Sequence, residues 1–414
     1  MSSEVTLDVE FCRAQFPLLK EGWVFLENAG GTLVPQQVTN RITDYMTHNQ
    51  VQPNEGYEAS LVGQESINQG RAVLAALINA DDDEIVVGPS TTSNVYLLSR
   101  ALLPLFKPGD EIIVTNQDHE ANNGAWRRLE RHGLVIREWQ MNPRSEDLEI
   151  EDLTALLSDR TKLVCVTHCS NVVGLVHDIK TMAEKVHAAG ALICVDGVAL
   201  TPHRRVDVKA LDVDFYLYSP YKVFGPHLGV LYGKRELLAA TTNESHYFLD
   251  DADFQRRLCP GGLNFELTAA CRGIGDYFDL LHQQHFAGDN SAAQARLDRL
   301  FDLFSAHETK LANRIEGFLR SKNSVRLIGA HADSGREKVG VFAFQVAGQN
   351  VTTIPAQVRT AKIGFYGDDF YAARCIDALG LREQGGVIRV SLAHYNSAQD
   401  VDRLIAALDP LIPD

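Results

Sequence analysis

The stretch KLVCVTHCSNVVGLVHDIKTMAEKVHAAGALICVDG (162–197) combines two short apolar runs with an amphipathic segment between them. The runs KLVCVTH (162–168) and ALICVDG (191–197) are almost continuously apolar, as expected for strands covered on both faces. Between them the apolar residues recur at helical spacing: Ile179, Met182, Ala183 and Val186. Gly190 follows as a C-terminal stop. The stretch therefore predicts a strand–helix–strand unit with two parallel strands.

Further apolar runs on both sides of this unit extend the pattern: EIVVG (84–88), EIIVT (111–115), DFYLYS (214–219) and GVLYG (229–233). Because helical segments separate most of these runs, we predict an α/β fold with a large domain over 20–278. Its sheet should be mainly parallel and covered by helices.

The pattern changes after about residue 280, where a long helix with an apolar face is predicted around Leu297, Leu300, Phe301 and Phe304. The runs VGVFAFQVA (339–347) and GVIRVSLAH (386–394) alternate more clearly, which predicts half-exposed antiparallel strands. We therefore expect a smaller α+β domain formed by 1–19 and 279–414.

The composition is that of a globular enzyme and excludes some classes of partner. Hydrophobic residues make up 45% and charged residues 22% of the 414 residues, as is usual for a globular enzyme. The net charge of −15 argues against a nucleic-acid partner, because phosphate neutralisation needs clustered lysines and arginines. No apolar run approaches the ~20 residues that span a bilayer, so no membrane partner is expected.

The cysteines and the first residues predict a cytoplasmic location. The seven cysteines form no CxxC pair, and the first residues show neither the basic nor the apolar region of a secretory signal. Cys165, His168 and Cys169 lie close together, but no fourth ligand stands at zinc-site spacing, so no metal site is predicted.

Polar residues cluster where the predicted strands end, which is where parallel α/β sheets bind ligands. These segments are PSTTSN (89–94), NQDHEANNGAW (116–126), CSNVVG (169–174), Asp196 and SPYK (219–222). Their residue types suit pyridoxal 5'-phosphate: a lysine for the aldehyde, an aspartate for the pyridine nitrogen and an imidazole for the ring face. Hydroxyls and amides at a helix start can hold the phosphate.

The order of motifs resembles that of class V aminotransferases, particularly their cysteine desulfurase-like branch. The resemblance rests on FLENAGGT, PSTTSN, DHEAN, THCSNVVG, VDGVA, SPYKVFGPHLGVLYG and IRVSLAHYNSAQDVDRL, which run from about residue 16 to the C-terminus. It implies a fold-type I enzyme that uses pyridoxal 5'-phosphate on a small amino acid. It also implies a homodimer with active sites at the subunit interface.

Matched position by position, the resemblance implies three catalytic residues. Lys222 corresponds to the Schiff-base lysine, Asp196 to the partner of the pyridine nitrogen and His119 to the ring-stacking imidazole. Further cofactor contacts are implied for Thr91, Thr92, Asn171, Ser219 and Tyr221, the last in place of the phosphate-binding histidine of many relatives. Arg389 corresponds to the arginine that grips the substrate carboxylate, and Asn171 and Gly30 are expected beside the substrate.

Three positions depart from the family pattern. Gly367 stands where desulfurases carry their nucleophilic cysteine, Ala199 replaces a polar residue near the cofactor hydroxyl, and Gly262 replaces a threonine that reaches the partner subunit's phosphate. The nearby Cys375 is predicted to be a packing residue on one helix face, with Tyr371, Ala372, Ile376 and Leu379. For Glu120, Asp368 and Asp369, substrate contact and simple solvation stay equally open.

The sequence leaves the reaction open. The resemblance favours chemistry at Cβ, such as elimination or decarboxylation, without a protein persulfide; transamination and epimerisation are the alternatives. Two other classes fit less well. The SxxK pattern of Ser219–Lys222 would need a helix start and the companion motifs of serine acyl-enzymes. A catalytically silent cofactor-binding protein would not need Lys222, Asp196 and Arg389 together.

Overall fold

The computed structural model describes residues 5–250, 253–329 and 335–414, so residues 1–4 of the predicted small domain lie outside it. In chain order the strands are β1 (Val24–Phe25), β2 (Ile85–Gly88), β3 (Glu111–Thr115), β4 (Val135–Trp139), β5 (Thr161–Thr167), β6 (Leu192–Asp196), β7 (Phe215–Tyr218), β8 (Gly229–Gly233), β9 (Val325–Leu327), β10 (Val341–Val346), β11 (Ile363–Gly364), β12 (Tyr366–Asp368) and β13 (Val387–Ser391).

The α-helices are α1 (Val9–Ala14), α2 (Gln36–His48), α3 (Glu58–Ala76), α4 (Thr91–Leu102), α5 (Gly124–Arg127), α6 (Ile150–Leu156), α7 (Ile179–Ala188), α8 (Val208–Leu211), α9 (Arg235–Ala240), α10 (Phe254–Arg257), α11 (Phe265–Ala270), α12 (Arg272–His285), α13 (Ala293–Arg320), α14 (Thr353–Val358), α15 (Ala373–Ala378) and α16 (Ala398–Leu408). Each strand predicted from an apolar run is present. The edge strand β4 was not predicted, because its residues are only partly buried.

The larger sheet has seven strands in the order β2-β8-β7-β6-β5-β3-β4. The pairs from β7 through β6, β5 and β3 to β4 are parallel, whereas β8 runs antiparallel to both β2 and β7. The predicted α/β fold with a mainly parallel sheet is therefore confirmed.

The β5–α7–β6 unit shows how the sequence places polar groups at one edge. Asp178 caps α7 by accepting a hydrogen bond from the main-chain N–H of Thr181 at 3.1 Å. The parallel register pairs Thr167 with Asp196, the last residues of the two strands. Because neighbouring parallel strands end at the same edge, the segments that follow them converge there.

The second sheet has the order β12-β13-β10-β9 and is antiparallel. The prediction that β10 and β13 are half-exposed is wrong, because β13 is buried throughout and β10 almost so. Alternate side chains enter two separate cores: Val341 and Ala343 pack into the core shared with the larger sheet, and Phe342 and Phe344 into a second core with α13 and α16. Both faces of this sheet are therefore covered.

The chain ahead of the large sheet is tied to the C-terminal part. Strand β1 pairs in parallel with β11, and Val24 and Leu26 pack into the core of the second sheet. The domain boundary near residue 20 stays a prediction. The contacts of β1 link the predicted large domain to the predicted small domain. Within the described residues, none of the helices has the length and apolar character needed to span a membrane.

Candidate active site

A pocket with about 490 Å³ of empty space opens at the carboxyl edge of the larger sheet. Its lining includes eight of the residues selected from the sequence: Thr91, Thr92, His119, Asn171, Asp196, Ser219, Tyr221 and Lys222. Arg389 and Gly30 lie beside the pocket instead of lining it. The structure therefore brings the residues selected on five separate strand ends to one place.

Lys222 closes the short 3-10 helix Pro220–Lys222 that follows β7. It is only 6% exposed, and its Nζ forms no hydrogen bond or ion pair with any described residue. Burial lowers the pKa of Lys222 to about 8, with the nearby Arg389 charge adding to the shift and Asp196 opposing it. A large fraction of this amine is therefore neutral and nucleophilic near pH 8.

Asp196 ends β6 and is 5% exposed. Its Oδ1 accepts a hydrogen bond from the main-chain N–H of Val198 at 2.9 Å, and its Oδ2 accepts none from the described residues. Burial raises the pKa of Asp196 to about 6, while the Val198 hydrogen bond and the Lys222 charge oppose the shift. The carboxylate is thus mostly ionised at neutral pH and keeps one oxygen for a cationic donor.

His119 stands at the start of the 3-10 helix Glu120–Asn122. Its Nδ1 accepts a hydrogen bond from the Ala121 N–H at 3.0 Å, which leaves the proton of a neutral ring on Nε2. Burial, together with the smaller effect of the Lys222 and Arg389 charges, lowers the pKa of His119 to about 3. The ring is therefore neutral and held in one tautomer.

Two hydroxyls meet at the start of α4. Thr91 Oγ1 and Ser219 Oγ are 2.7 Å apart, and Thr91 Oγ1 also donates to the main-chain oxygen of Tyr218 at 3.2 Å. The first turn of α4 can approach β8 because Gly229 has no side chain: a Cβ there would lie 2.2 Å from the Thr91 nitrogen. Free N–H groups and hydroxyls at a helix N-terminus favour an anion such as a phosphate.

Arg389 lies in the middle of β13 and is 2% exposed. Its Nη1 donates to the main-chain oxygen of Asn171 at 3.1 Å, its Nε has no hydrogen-bond partner, and no described carboxylate lies within 4.0 Å of it. Burial lowers the pKa of Arg389 to about 10, so it stays charged at neutral pH. Gly30 borders it, because a Cβ on Gly30 would lie 3.5 Å from Nη2.

The remaining predicted residues are also placed. The Nδ2 of Asn171 donates to the main-chain oxygen of Phe370 at 3.0 Å, and its buried Oδ1 has no partner among the described residues. The Tyr221 ring stacks on His227 with 4.7 Å between centroids and an interplanar angle of 12°. Thr92 is exposed at the rim of the pocket.

The departures from the family pattern have structural counterparts. Ala199 lines the pocket, and Gly262 has a φ of +89° with space around it, in a different groove. Cys375 is buried in α15, and burial raises the pKa of its thiol to about 12, in agreement with a packing role. Tyr371 does not belong to that packed face, because it precedes the helix and is 73% exposed.

The three acidic residues whose role the sequence did not decide lie at the end of β12 (Asp368), just after it (Asp369) and at the start of the 3-10 helix Glu120–Asn122 (Glu120). Asp368 and Asp369 use Oδ1 atoms to accept local main-chain hydrogen bonds, from the N–H groups of Asp369 and Tyr371. Glu120 lies 3.4 Å from the Nε of Arg374. Local backbone and ion-pair contacts therefore occupy these carboxylates in part.

Three residues near the site were missed by the sequence reasoning. Asp118 is fully buried, and burial raises its pKa to about 8. Glu27 lies near Arg389, whose charge lowers the Glu27 pKa while burial raises it more strongly. Phe370 covers one face of the Arg389 guanidinium, 3.7 Å from ring centroid to Cζ. Asp118 belongs to the DHEAN motif and Glu27 to FLENAGGT, but neither motif shows that Glu27 and Phe370 become neighbours of Arg389, which happens only through tertiary packing.

With this geometry, the comparisons with known proteins agree. The family model for class V aminotransferases matches residues 24–404. The chain belongs to this family of fold-type I pyridoxal-phosphate enzymes, and its relatives point to the cysteine desulfurase-like part of it.

Among the curated relatives, the aminotransferase-like protein FGM3 of Gibberella zeae is 35% identical over 99% of this chain and 100% of its own length. The cysteine desulfurase-like protein ustD of Aspergillus flavus is 34% identical over 99% of this chain and 92% of its own. Among solved structures, the cysteine desulfurase CsdA of Escherichia coli aligns with a TM-score of 0.82 at 25% identity, covering 98% of both chains.

The pocket fits the cofactor of this family. Lys222 offers an amine without a hydrogen-bond partner, Asp196 keeps an oxygen free, and the hydroxyls of Thr91 and Ser219 meet at a helix start. These residues would hold the aldehyde, the ring nitrogen and the phosphate, respectively.

Proposed function

We propose that this enzyme acts on a small free α-amino acid by chemistry at Cβ, such as elimination or decarboxylation, without a protein persulfide. The observation that carries the proposal is that two basic side chains of different kinds are buried at the same site. Lys222 is a partly neutral amine, and Arg389 is a charged guanidinium with no described carboxylate partner. An amino acid supplies what both lack, since its carboxylate pairs with Arg389.

Each residue has a role in this proposal. Pyridoxal phosphate, when bound, supplies an electron sink that weakens the bonds at Cα. Lys222 would hold the cofactor and move the Cα proton, Asp196 would keep the ring nitrogen protonated, and His119 would lie against the ring. Thr91, Thr92, Ser219 and Tyr221 would hold the phosphate. Arg389 grips the carboxylate with Asn171 and Gly30 alongside, which fixes the Cα bond that breaks.

The position of Gly367 supports a route without a persulfide. Gly367 lies on β12, and a Cβ on it would be 2.2 Å from the main-chain oxygen of Val351. Cys375, the cysteine that follows this region in the sequence, is buried and its thiol pKa is raised, so it is a poor thiolate nucleophile. Transfer of the amino group to a keto acid is the second candidate, supported by the similarity of the chain to the aminotransferase-like protein FGM3.

A panel experiment tests the reaction. The holoenzyme is incubated with free amino acids, with and without a keto acid, and the visible spectrum and products are followed. Release of a Cβ substituent, including CO₂ from a carboxylate on Cβ, without a keto acid supports the proposal. Product formation that depends strictly on the keto acid contradicts it in favour of transamination, and a change of configuration alone identifies an epimerase.

The assignment of Lys222 has its own test. The purified wild type should be yellow, and Lys222→Ala should lose the visible band and the link that borohydride fixes in the wild type. A matched change, Lys234→Ala, removes a lysine that pairs with Asp212 and Asp214 at the far end of the sheet. That variant should keep both signals. A borohydride-stable link in Lys222→Ala would contradict the assignment.

We also propose a homodimer in which each site lies near the partner subunit. The support is the family resemblance together with exposed apolar side chains, among them Tyr57, Leu61 and Tyr247. Sedimentation at catalytic concentration tests this, and a monomer that retains full activity would contradict it. A cytoplasmic location is proposed because the seven cysteines are all buried and unpaired, as is usual in a reducing compartment.

A further inference from the structure

The buried face of Arg389 is covered by an aromatic ring that the family resemblance does not assign. The Cζ atom of Arg389 lies 3.7 Å from the centroid of the Phe370 ring, and Phe370 is itself 3% exposed. A guanidinium is weakly hydrated on its faces and stacks well on aromatic rings, while its N–H groups point outward in its plane. The ring therefore blocks one face and leaves the hydrogen-bonding edge open.

The arginine has little else to hold it. One hydrogen bond, from Nη1 to the main-chain oxygen of Asn171, is its only one with the described residues. The other donors have no described carboxylate within 4.0 Å, and Nε is buried without an acceptor. Without the ring, the plane of the guanidinium could turn about this single hydrogen bond.

Phe370 is fixed more firmly than an ordinary loop residue. Its main-chain oxygen accepts from the Nδ2 of Asn171 at 3.0 Å, and its ring packs against Tyr366 with centroids 4.8 Å apart. The next residue, Tyr371, uses its main-chain oxygen to accept from the Glu120 N–H at 2.8 Å. The loop is thus tied to the segments after β3 and β5, both of which border the pocket.

The backbone of this loop is unusual for its side chains. Phe370 and Tyr371 have φ values of 53° and 56°, in the left-handed region that bulky residues rarely adopt. Such conformations persist where surrounding contacts fix them, and they are concentrated at functional sites. Here the left-handed turn is what directs the Phe370 ring inward, onto Arg389, while Tyr371 faces solvent beside His119, with ring centroids 5.6 Å apart.

We propose that Phe370 is a positioning residue, which fixes the plane of Arg389 and thereby makes the site selective for α-carboxylates. Asn171 joins the two, since its main-chain oxygen receives Arg389 and its side chain holds Phe370. This role rests on the proposed function, in which Arg389 binds the substrate carboxylate. The proposal adds that the affinity of Arg389 for the carboxylate depends on the Phe370 ring, which contacts the arginine and not the carboxylate.

The test uses holoenzyme, with L-alanine and ethylamine as probes that differ only by the carboxylate. Half-saturation of the change in the visible spectrum is measured for wild type and for Phe370→Leu. We expect half-saturation by L-alanine to rise roughly 3- to 30-fold, the range of a partly desolvated cation–π contact. Half-saturation by ethylamine should not change, and neither should the maximal spectral change with L-alanine.

Two further variants separate positioning from general loss of packing. Phe370→Tyr keeps the ring and should return L-alanine half-saturation close to the wild-type value. Phe344→Leu truncates a buried ring of the second core, on the face of the sheet opposite Arg389, and should lower thermal stability without changing the preference for L-alanine. An equal loss of affinity for both probes in Phe370→Leu would overturn the positioning role.

The failures are distinguishable. A wild type that responds equally to L-alanine and ethylamine, or to neither, overturns the carboxylate role of Arg389 and with it the proposed function at this site. A wild type that prefers L-alanine, together with a Phe370→Leu variant that has the same preference, overturns the role of Phe370 alone.

Discussion

The main-chain oxygen of Val351 occupies the space in which a side chain on Gly367 would begin. A Cβ built on Gly367 lies 2.2 Å from that oxygen and 2.7 Å from its carbonyl carbon. Gly364, three residues earlier, is different, since a Cβ there would have its nearest neighbour at 3.7 Å. The two glycines thus form a matched pair close to the region where desulfurases carry their cysteine.

Gly367→Cys should therefore not create a desulfurase. We expect this change to lower the free energy of unfolding by about 1–3 kcal/mol, the usual cost of overpacking, and to give no protein persulfide with L-cysteine. Gly364→Cys should be much less destabilising. Denaturant unfolding and mass spectrometry of the treated protein measure both effects, and a stable persulfide on residue 367 would contradict the expectation.

The uptake of cofactor by the apoenzyme should depend on pH through Lys222. The pKa of Lys222 is lowered to about 8, so the amine is protonated below this pH and neutral above it. Only the neutral amine attacks an aldehyde, and the rate of visible-band formation should rise through pH 8. A midpoint near 10.5, the ordinary lysine value, would show that burial has no such effect.

The two charged neighbours of Lys222 should shift that midpoint in opposite directions. The Arg389 cation lowers the Lys222 pKa, so Arg389→Met should move the midpoint to higher pH. The Asp196 carboxylate raises it, so Asp196→Asn should move the midpoint to lower pH. Shifts of the same sign in both variants would mean that the variants act through structure and not through charge.

Loss of the Thr91 hydroxyl should weaken cofactor binding. Thr91→Val removes the partner of Ser219 Oγ and leaves that buried hydroxyl with one fewer hydrogen bond. We expect about a 1–3 kcal/mol weaker affinity for pyridoxal phosphate, measured by equilibrium dialysis. Ser99→Ala, on the same helix, removes a hydroxyl that bonds to Tyr96 and should leave the affinity unchanged. Equal affinities in all three proteins would remove Thr91 from the site.

Arg389→Lys should impair substrate use but not cofactor binding. The lysine keeps a positive charge but loses the planar fork that donates hydrogen bonds to both carboxylate oxygens, and a loss on the order of 2–4 kcal/mol in kcat/KM is expected. Arg382→Lys is the matched control, because Arg382 is exposed and pairs with Asp377. An Arg389→Lys enzyme with wild-type kcat/KM for an amino acid would rule out a bidentate carboxylate contact.

The sequence by itself determined the central strands and the chemistry of the residues at their ends. Continuous apolar runs predicted the central strands because a strand covered on both faces has no polar side to show. The residue types at the strand ends, together with motif order, led to the eight pocket residues that the fold brings together. Their local signals were strong, since each stands within four residues of the end of an apolar run.

Tertiary structure alone decided the surroundings of Arg389. Glu27 is far from Arg389 along the chain, and Phe370 belongs to none of the motifs that identified the site. Both reach Arg389 only because β13, the loop after β12 and the segment after β1 pack together. The burial of β10 and β13 was also invisible, because alternation reports one apolar face and not what covers the other. The spacing of apolar residues indicates which side of a segment can be buried, whereas only the packed fold determines which other segments cover it.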